Sequence, residues 1–154
     1  MSHGADTAAT VVVRPRNTMI VAWVCAVVVF ALFVVVAVVL RTAETGVFFR
    51  LADQIAMAAI GALIAGGVLL LARPRVRADA EGIEVRNVLV TRTLPWDVVE
   101  RVAFPDGASW ARLELIGDDY LPVLAIQAVD GQRAVEGIRR VRALHAAAAR
   151  TRRP

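Results

Sequence analysis

The residues with which this chain could act on another molecule are arginines. All 18 of its basic residues are arginine, set against 14 acidic residues, and Arg73, Arg75 and Arg77 stand at alternate positions directly after a long apolar segment. Basic residues beside an anionic leaflet attract it by about 1 kcal/mol each, so these three are the candidate contacts to anionic lipid. Their position also suits the tendency of cationic flanks to stay on the cytoplasmic side of a membrane span. Other reactive groups do not gather. His3 and His145 lie near opposite ends and Cys25 is alone in an apolar run, a pattern that offers neither a disulfide framework nor a cysteine- or histidine-rich metal site. Asp118 and Asp119 are adjacent, as acids in chain reversals often are. No glycine-rich phosphate loop, nucleophile elbow or HExxH pair occurs. The expectation is a non-enzymatic protein without catalytic residues, cofactor or metal. The arginine-rich C-terminal region could neutralise phosphates, yet it carries no known nucleic-acid motif, and no nucleic acid partner is expected.

The elements that must position these arginines fall into two halves. From Thr18 to Leu40 there are 23 residues without a charge, about 34 Å of helix at 1.5 Å per residue, enough for a hydrocarbon core of about 30 Å. The run is rich in valine, which in water favours strands, but within lipid a single segment satisfies its own backbone only as a helix. It is longer than the apolar core of a signal peptide, and no clear cleavage site follows. A second uncharged run, Gln54 to Ala72, spans about 28 Å as a helix. The layout is a tail over 1–17, a first span over 18–40, a loop over 41–53, a second span over 54–72, a soluble domain over 73–150 and a basic tail over 151–154. Arg14, Arg16, Arg73, Arg75 and Arg77 flank one side and Arg41 and Arg50 the other, which places both termini in the cytoplasm. Phe48, Phe49 and Trp23 suit the interfacial zones. Ala58, Ala62 and Gly66, with Ala22 and Ala26 on the first span, form smooth stripes that would let a helix of the hairpin or of a second copy approach, a route to a homo-oligomer.

After Arg73-Pro74-Arg75 the pattern changes. Short apolar stretches at Val76 to Ala78, Ile83 to Val85, Val88 to Leu94, Val98 to Phe104, Ala111 to Ile116 and Tyr120 to Ile126 read as antiparallel strands. Turns fall at Ala80-Glu81-Gly82, Pro105-Asp106-Gly107 and Gly117-Asp118-Asp119. From Asp130, a plausible N-cap, the period becomes helical, with Ala134, Ile138, Val141, Leu144 and Ala148 on one face. Trp96 reads as a core anchor, while Trp110, beside a loop, could be either a core anchor or a residue at a binding edge. The domain over 73–150 is expected to fold without the hairpin.

The stretches Asp79-Ala80-Glu81-Gly82-Ile83-Glu84-Val85-Arg86, Arg92-Thr93-Leu94-Pro95-Trp96-Asp97-Val98-Val99 and Ser109-Trp110-Ala111-Arg112-Leu113 resemble the bacterial PH-like domain family. In particular they are similar to the small actinobacterial membrane proteins grouped with low molecular weight protein antigen 6, which likewise place a hydrophobic hairpin before a short PH domain. The resemblance implies an α+β fold, a bent antiparallel sheet or barrel closed by one C-terminal helix, in a membrane setting and with no implied reaction. Phosphoinositide-binding PH domains of eukaryotes concentrate basic residues around the first strands and their loop. Here that loop, Ala78 to Gly82, is acidic. The expected function is a two-pass cell-membrane protein presenting a cytoplasmic PH-like domain as a tethered protein-interaction module, its partner unnamed by the sequence. Anionic-lipid surface binding or a structural membrane role is the alternative. Such sheets can also accept an extended peptide as an added strand at an edge.

Overall fold

The computed structural model describes residues 10–42 and 50–152, so the expectations placed on His3, Phe48, Phe49 and Arg153 lie outside the described residues. The chain divides into a helical unit, Asn17–Arg73, and a second unit made of the N-terminal segment and Pro74–Pro154. In the helical unit, α1 (Arg16–Thr42) and α2 (Leu51–Leu69, continued by a 3-10 turn Leu70–Ala72) are both long and apolar enough to cross a membrane. Each starts two or three residues before the expected span, because polar and charged residues such as Arg16, Asn17 and Asp53 form the first turns. The Asp53 carboxylate accepts the Arg50 N–H at 2.9 Å, a favourable place for a negative charge at a helix start. Arg41 donates to Gln54 Oε1 at 2.9 Å and ties the end of α1 to the start of α2. Ala22 and Ala26 are buried, and on α2 the buried small residues are Gly61 and Ala65. Ala62 and Gly66 face outward. The reason is Phe33, whose ring carbon Cγ would lie 2.9 Å from a Cβ at residue 61, so only glycine admits it there.

The second unit holds seven strands: β1 (Val11–Val13), β2 (Arg75–Ala78), β3 (Gly82–Arg86), β4 (Thr91–Pro95), β5 (Val99–Ala103), β6 (Trp110–Leu115) and β7 (Asp119–Gln127). They form two antiparallel sheets in the orders β1-β2-β3-β4 and β5-β6-β7. A C-terminal helix, α3 (Gln132–Thr151), lies against β1, β5 and β7, and β7 also packs on β2 and β3. Strand alternation sorts the residues. Val76, Ala78, Ile83 and Val85 point inward, joined by Leu113, Val123, Ile126 and the expected helix face of Ala134, Ile138 and Val141, while Arg75 and Arg77 point outward. Trp96 lies at the centre, 1% exposed.

Three features depart from the sequence reading. First, the expected N-terminal tail contributes β1. Val11, Val12 and Val13 pair with Ala78, Arg77 and Val76, and Val11 and Val13 pack on the core. Gly137 on α3 makes room for this strand, since a Cβ there would meet Val13 Cγ1 at 3.1 Å. Three residues were too few to show a period, and the partner strand lies beyond both helices. The strand-rich unit thus includes β1 as well as the segment from Pro74 onward. Second, the stretch from Val88 to Leu94 is not one strand: Asn87 to Val90 form a turn closed by Asn87 N–H to Val90 O at 2.8 Å, and β4 starts at Thr91. Asn87 also donates from Nδ2 to Pro122 O at 2.8 Å and accepts the Leu124 N–H at 3.2 Å. The asparagine thus braces the β3–β4 turn against β7, leaving Leu89 84% and Val90 54% exposed. Third, the N-cap of α3 is Gly131 at φ 54°, while Asp130 is buried in the preceding 3-10 turn. Positive φ there favours glycine.

Candidate functional site

Two surfaces of the strand-rich unit carry arginines. On the outer face of the first sheet, the β2–β3 turn sets the register. Asp79 Oδ1 accepts the N–H groups of Glu81 and Gly82 at 3.1 and 3.0 Å, and Gly82 sits so close to the Leu94 carbonyl that a Cβ would collide with it. That turn places Arg75 opposite Arg86 and Arg77 opposite Glu84. Arg75 donates to Glu84 at 3.1 Å, so one of the predicted lipid-contact arginines already has a carboxylate partner. Arg77 is exposed on the same face, and Arg73 ends the 3-10 turn in the helical unit. Arg86 was missed by the sequence reading, although counting back across the Asp79 turn would have found it opposite Arg75.

The second surface lies along α3. A groove of about 690 Å³ runs between the helix and the end of β5, floored by Phe104, Ala134, Val135 and Ile138 and rimmed by Arg139 and Arg142. None of its lining residues is acidic, and among the described residues no carboxylate pairs with Arg139 or Arg142. Arg142 Nε donates to Val102 O at 2.8 Å, and His145 Nε2 donates to Val99 O at 2.8 Å. These two side chains of α3 occupy carbonyls along the outer edge of β5. The added-strand mode of peptide binding is closed at those positions. His145 also stacks at a tilt on Trp96, ring centroids 5.4 Å apart, which makes it part of the domain's packing.

Next to the groove, across Phe104 and Arg142, stands an ion-pair cluster. Glu114 accepts from Arg101 Nε at 2.7 Å and from Arg112 Nη2 at 2.7 Å, and the Arg112 guanidinium lies over the Tyr120 ring, 5.8 Å from its centroid. The hydrogen bond from Arg101, followed by that from Arg112, lowers the Glu114 carboxyl from an ordinary 4.5 to about 2. Because the folded value lies below the unfolded one, the cluster contributes stability that is complete above about pH 4.5 and is lost as pH falls through about 2. Melting of the full chain in detergent should fall less steeply across that window for Glu114→Gln than for the wild type. The difference should shrink in high salt, because the pair is open to solvent. Equal slopes at low salt would show that Glu114 does not titrate in this way.

No group of three or more histidine, cysteine, aspartate or glutamate residues converges among the described residues. Trp110, at the start of β6, is 45% exposed and is therefore not a core anchor. Residues 73–144 match the family model described as bacterial PH domain. The match begins after β1, which the chain supplies from ahead of its two long helices. Proteins of Mycobacterium bovis and Mycobacterium tuberculosis, each described as uncharacterized, are 46% identical over 134 residues that cover 87% of this chain and 87% of theirs. No solved structure matches at a significant level. With six strands and the first part of the closing helix inside the matched region, and with relatives this similar over most of their length, the chain belongs to the bacterial PH domain family.

Proposed function

We propose that the chain is a two-pass membrane protein with cytoplasmic termini whose PH domain is a tethered docking module for an acidic segment of a protein partner. The observation that carries this reading is the groove beside α3, which combines an apolar floor with an arginine rim free of carboxylates. Such a surface suits a peptide with acidic residues around an aliphatic or aromatic anchor. Held by side chains rather than by strand addition, the partner would leave the β5 edge as it is. Arginines flank both ends of the chain's two long helices in the pattern that keeps the tail and the domain on the cytoplasmic side. Tethering gives the domain a high effective concentration at the bilayer, so neither lipid nor partner affinity has to be high. The Ala78–Gly82 loop that would have to grip an inositol phosphate is acidic, and its Asp79 carboxylate is already engaged in the turn.

The test is a photo-crosslinking residue at Val135 or, as a control, at Val12, in the full chain in intact cells. Val135 should yield a protein adduct whose mapped peptide is acidic, and Arg139→Glu should remove it. In the same cells, a cysteine at Glu44 should react with a membrane-impermeant thiol reagent and one at Asp118 should not. Headgroup-selective binding to phosphoinositide vesicles that persists at physiological salt and in Arg139→Glu would instead make lipid sensing the function.

A further inference from the structure

We propose that the β3–β4 turn is a bilayer wedge: Leu89 and Val90 insert at the headgroup boundary of the membrane that the two long helices cross, with Arg86 and Arg92 at the phosphates. This goes beyond protein docking and rests on that reading only for the membrane spans. The turn presents two apolar side chains, 84% and 54% exposed, at the tip of a hairpin. Asn87 fixes the tip by two hydrogen bonds to β7, so the exposure is held by the fold. Arg86 and Arg92 bracket the tip, and among the described residues neither has a carboxylate partner. Apolar side chains between arginines match the boundary between headgroups and acyl chains, where aliphatic stems bury and guanidinium heads remain at the phosphates.

Register and chain order supply the second argument. Val13 pairs with Val76, Arg75 with Arg86, and Arg86 with Thr91. The chain enters α1 at Arg16, just after β1, and returns from the 3-10 turn ending at Ala72, just before β2. The end of the sheet from which the chain leaves for α1 and at which it comes back is therefore the end that carries the Leu89 tip. From Ala72 to Arg75 the chain can extend by at most about 10 Å. The chain that enters a bilayer through the helices is thus joined within a few residues to the end of the sheet that carries the tip. A second copy or a protein has no such connection.

The test uses the full chain with Cys25→Ala, carrying Leu89→Cys or, as control, Asp118→Cys, labelled with an environment-sensitive fluorophore and reconstituted into phosphatidylcholine vesicles containing phosphatidylglycerol. Quenching by aqueous iodide should be about fivefold or more weaker at position 89 than at 118, and nitroxide lipids with shallow spin labels should quench only position 89. Arg86→Glu with Arg92→Glu should restore part of the iodide quenching in the same vesicles. Equal iodide quenching at both positions would overturn the proposal, as would iodide protection at 89 without quenching by nitroxide lipid, which would mean that protein covers the tip. Failure here leaves Val135 crosslinking unaffected, so loss of the wedge is distinguishable from loss of the docking groove.

Discussion

Trp96→Ala is expected to abolish cooperative unfolding of the PH domain. The ring is 1% exposed, its Nε1 donates to the Asp79 carbonyl at 2.8 Å, and His145 packs against it. Truncation would remove the largest fully buried side chain and at the same time orphan a carbonyl of the turn that sets the β2–β3 register. A loss of about 3 to 5 kcal/mol for the cavity alone approaches the whole stability of a small domain, about 5 kcal/mol at the low end. Trp96→Phe keeps most of the ring and loses the hydrogen bond, so it should be the milder change by a wide margin. The readout is thermal melting and amide dispersion of a soluble version in which residues 10–15 are joined by a short flexible linker to residues 74–152. An alanine variant that melts like the parent would mean that the tryptophan is not the keystone of the core.

That linked protein is itself the second prediction. Residues 74–152 alone should be poorly folded, whereas the version carrying residues 10–15 should melt cooperatively. Without β1, the inner face of β2 and the surface of α3 around Gly137 lose the cover of Val11 and Val13, and β2 becomes an open sheet edge. Full burial of a valine contributes about 1.5 to 3 kcal/mol, and these two are partly buried. Their combined loss is thus several kcal/mol at most, but from a domain of marginal size. Val13→Asp in the linked protein should reproduce most of the defect, because it brings an unpaired carboxylate against the core. If residues 74–152 fold as stably as the linked protein, β1 is an ornament rather than a structural strand.

How much of this was legible in the sequence depended on how far each signal reached along the chain. Period-two burial in Val76-Ala78 and Ile83-Val85, the helical stripe of Ala134, Ile138 and Val141, and the Leu94-Pro95-Trp96 corner are local, and each could be read from a few consecutive residues. The uncharged runs declared the two long helices for the same reason. What escaped was non-local. Val11–Val13 make sense as a strand only once β2 is known to lie beside them, and the two are separated by both helices. The tip at Leu89 was hidden because an apolar residue in a turn imitates a strand until Asn87 is seen to be tied to β7. Part of the arginine site was legible too: alternation puts Arg75 and Arg77 on one face, yet only the three-dimensional register shows that Glu84 already holds Arg75. The α3 groove needed the tertiary fold, since Phe104 and Val135 come from distant parts of the chain.

Arg142 and His145 on the β5 carbonyls have a consequence for life on a surface. Proteins confined to a membrane meet one another in two dimensions, and at equal copy number their encounters are far more frequent than in free solution. Under those conditions an open strand edge is a template on which neighbouring sheets stack and clump. By filling the outward carbonyls of Val99 and Val102, α3 withdraws one such edge from its neighbours. With the two long helices seated in a bilayer as proposed, many copies could then crowd one patch of it without zipping together along β5.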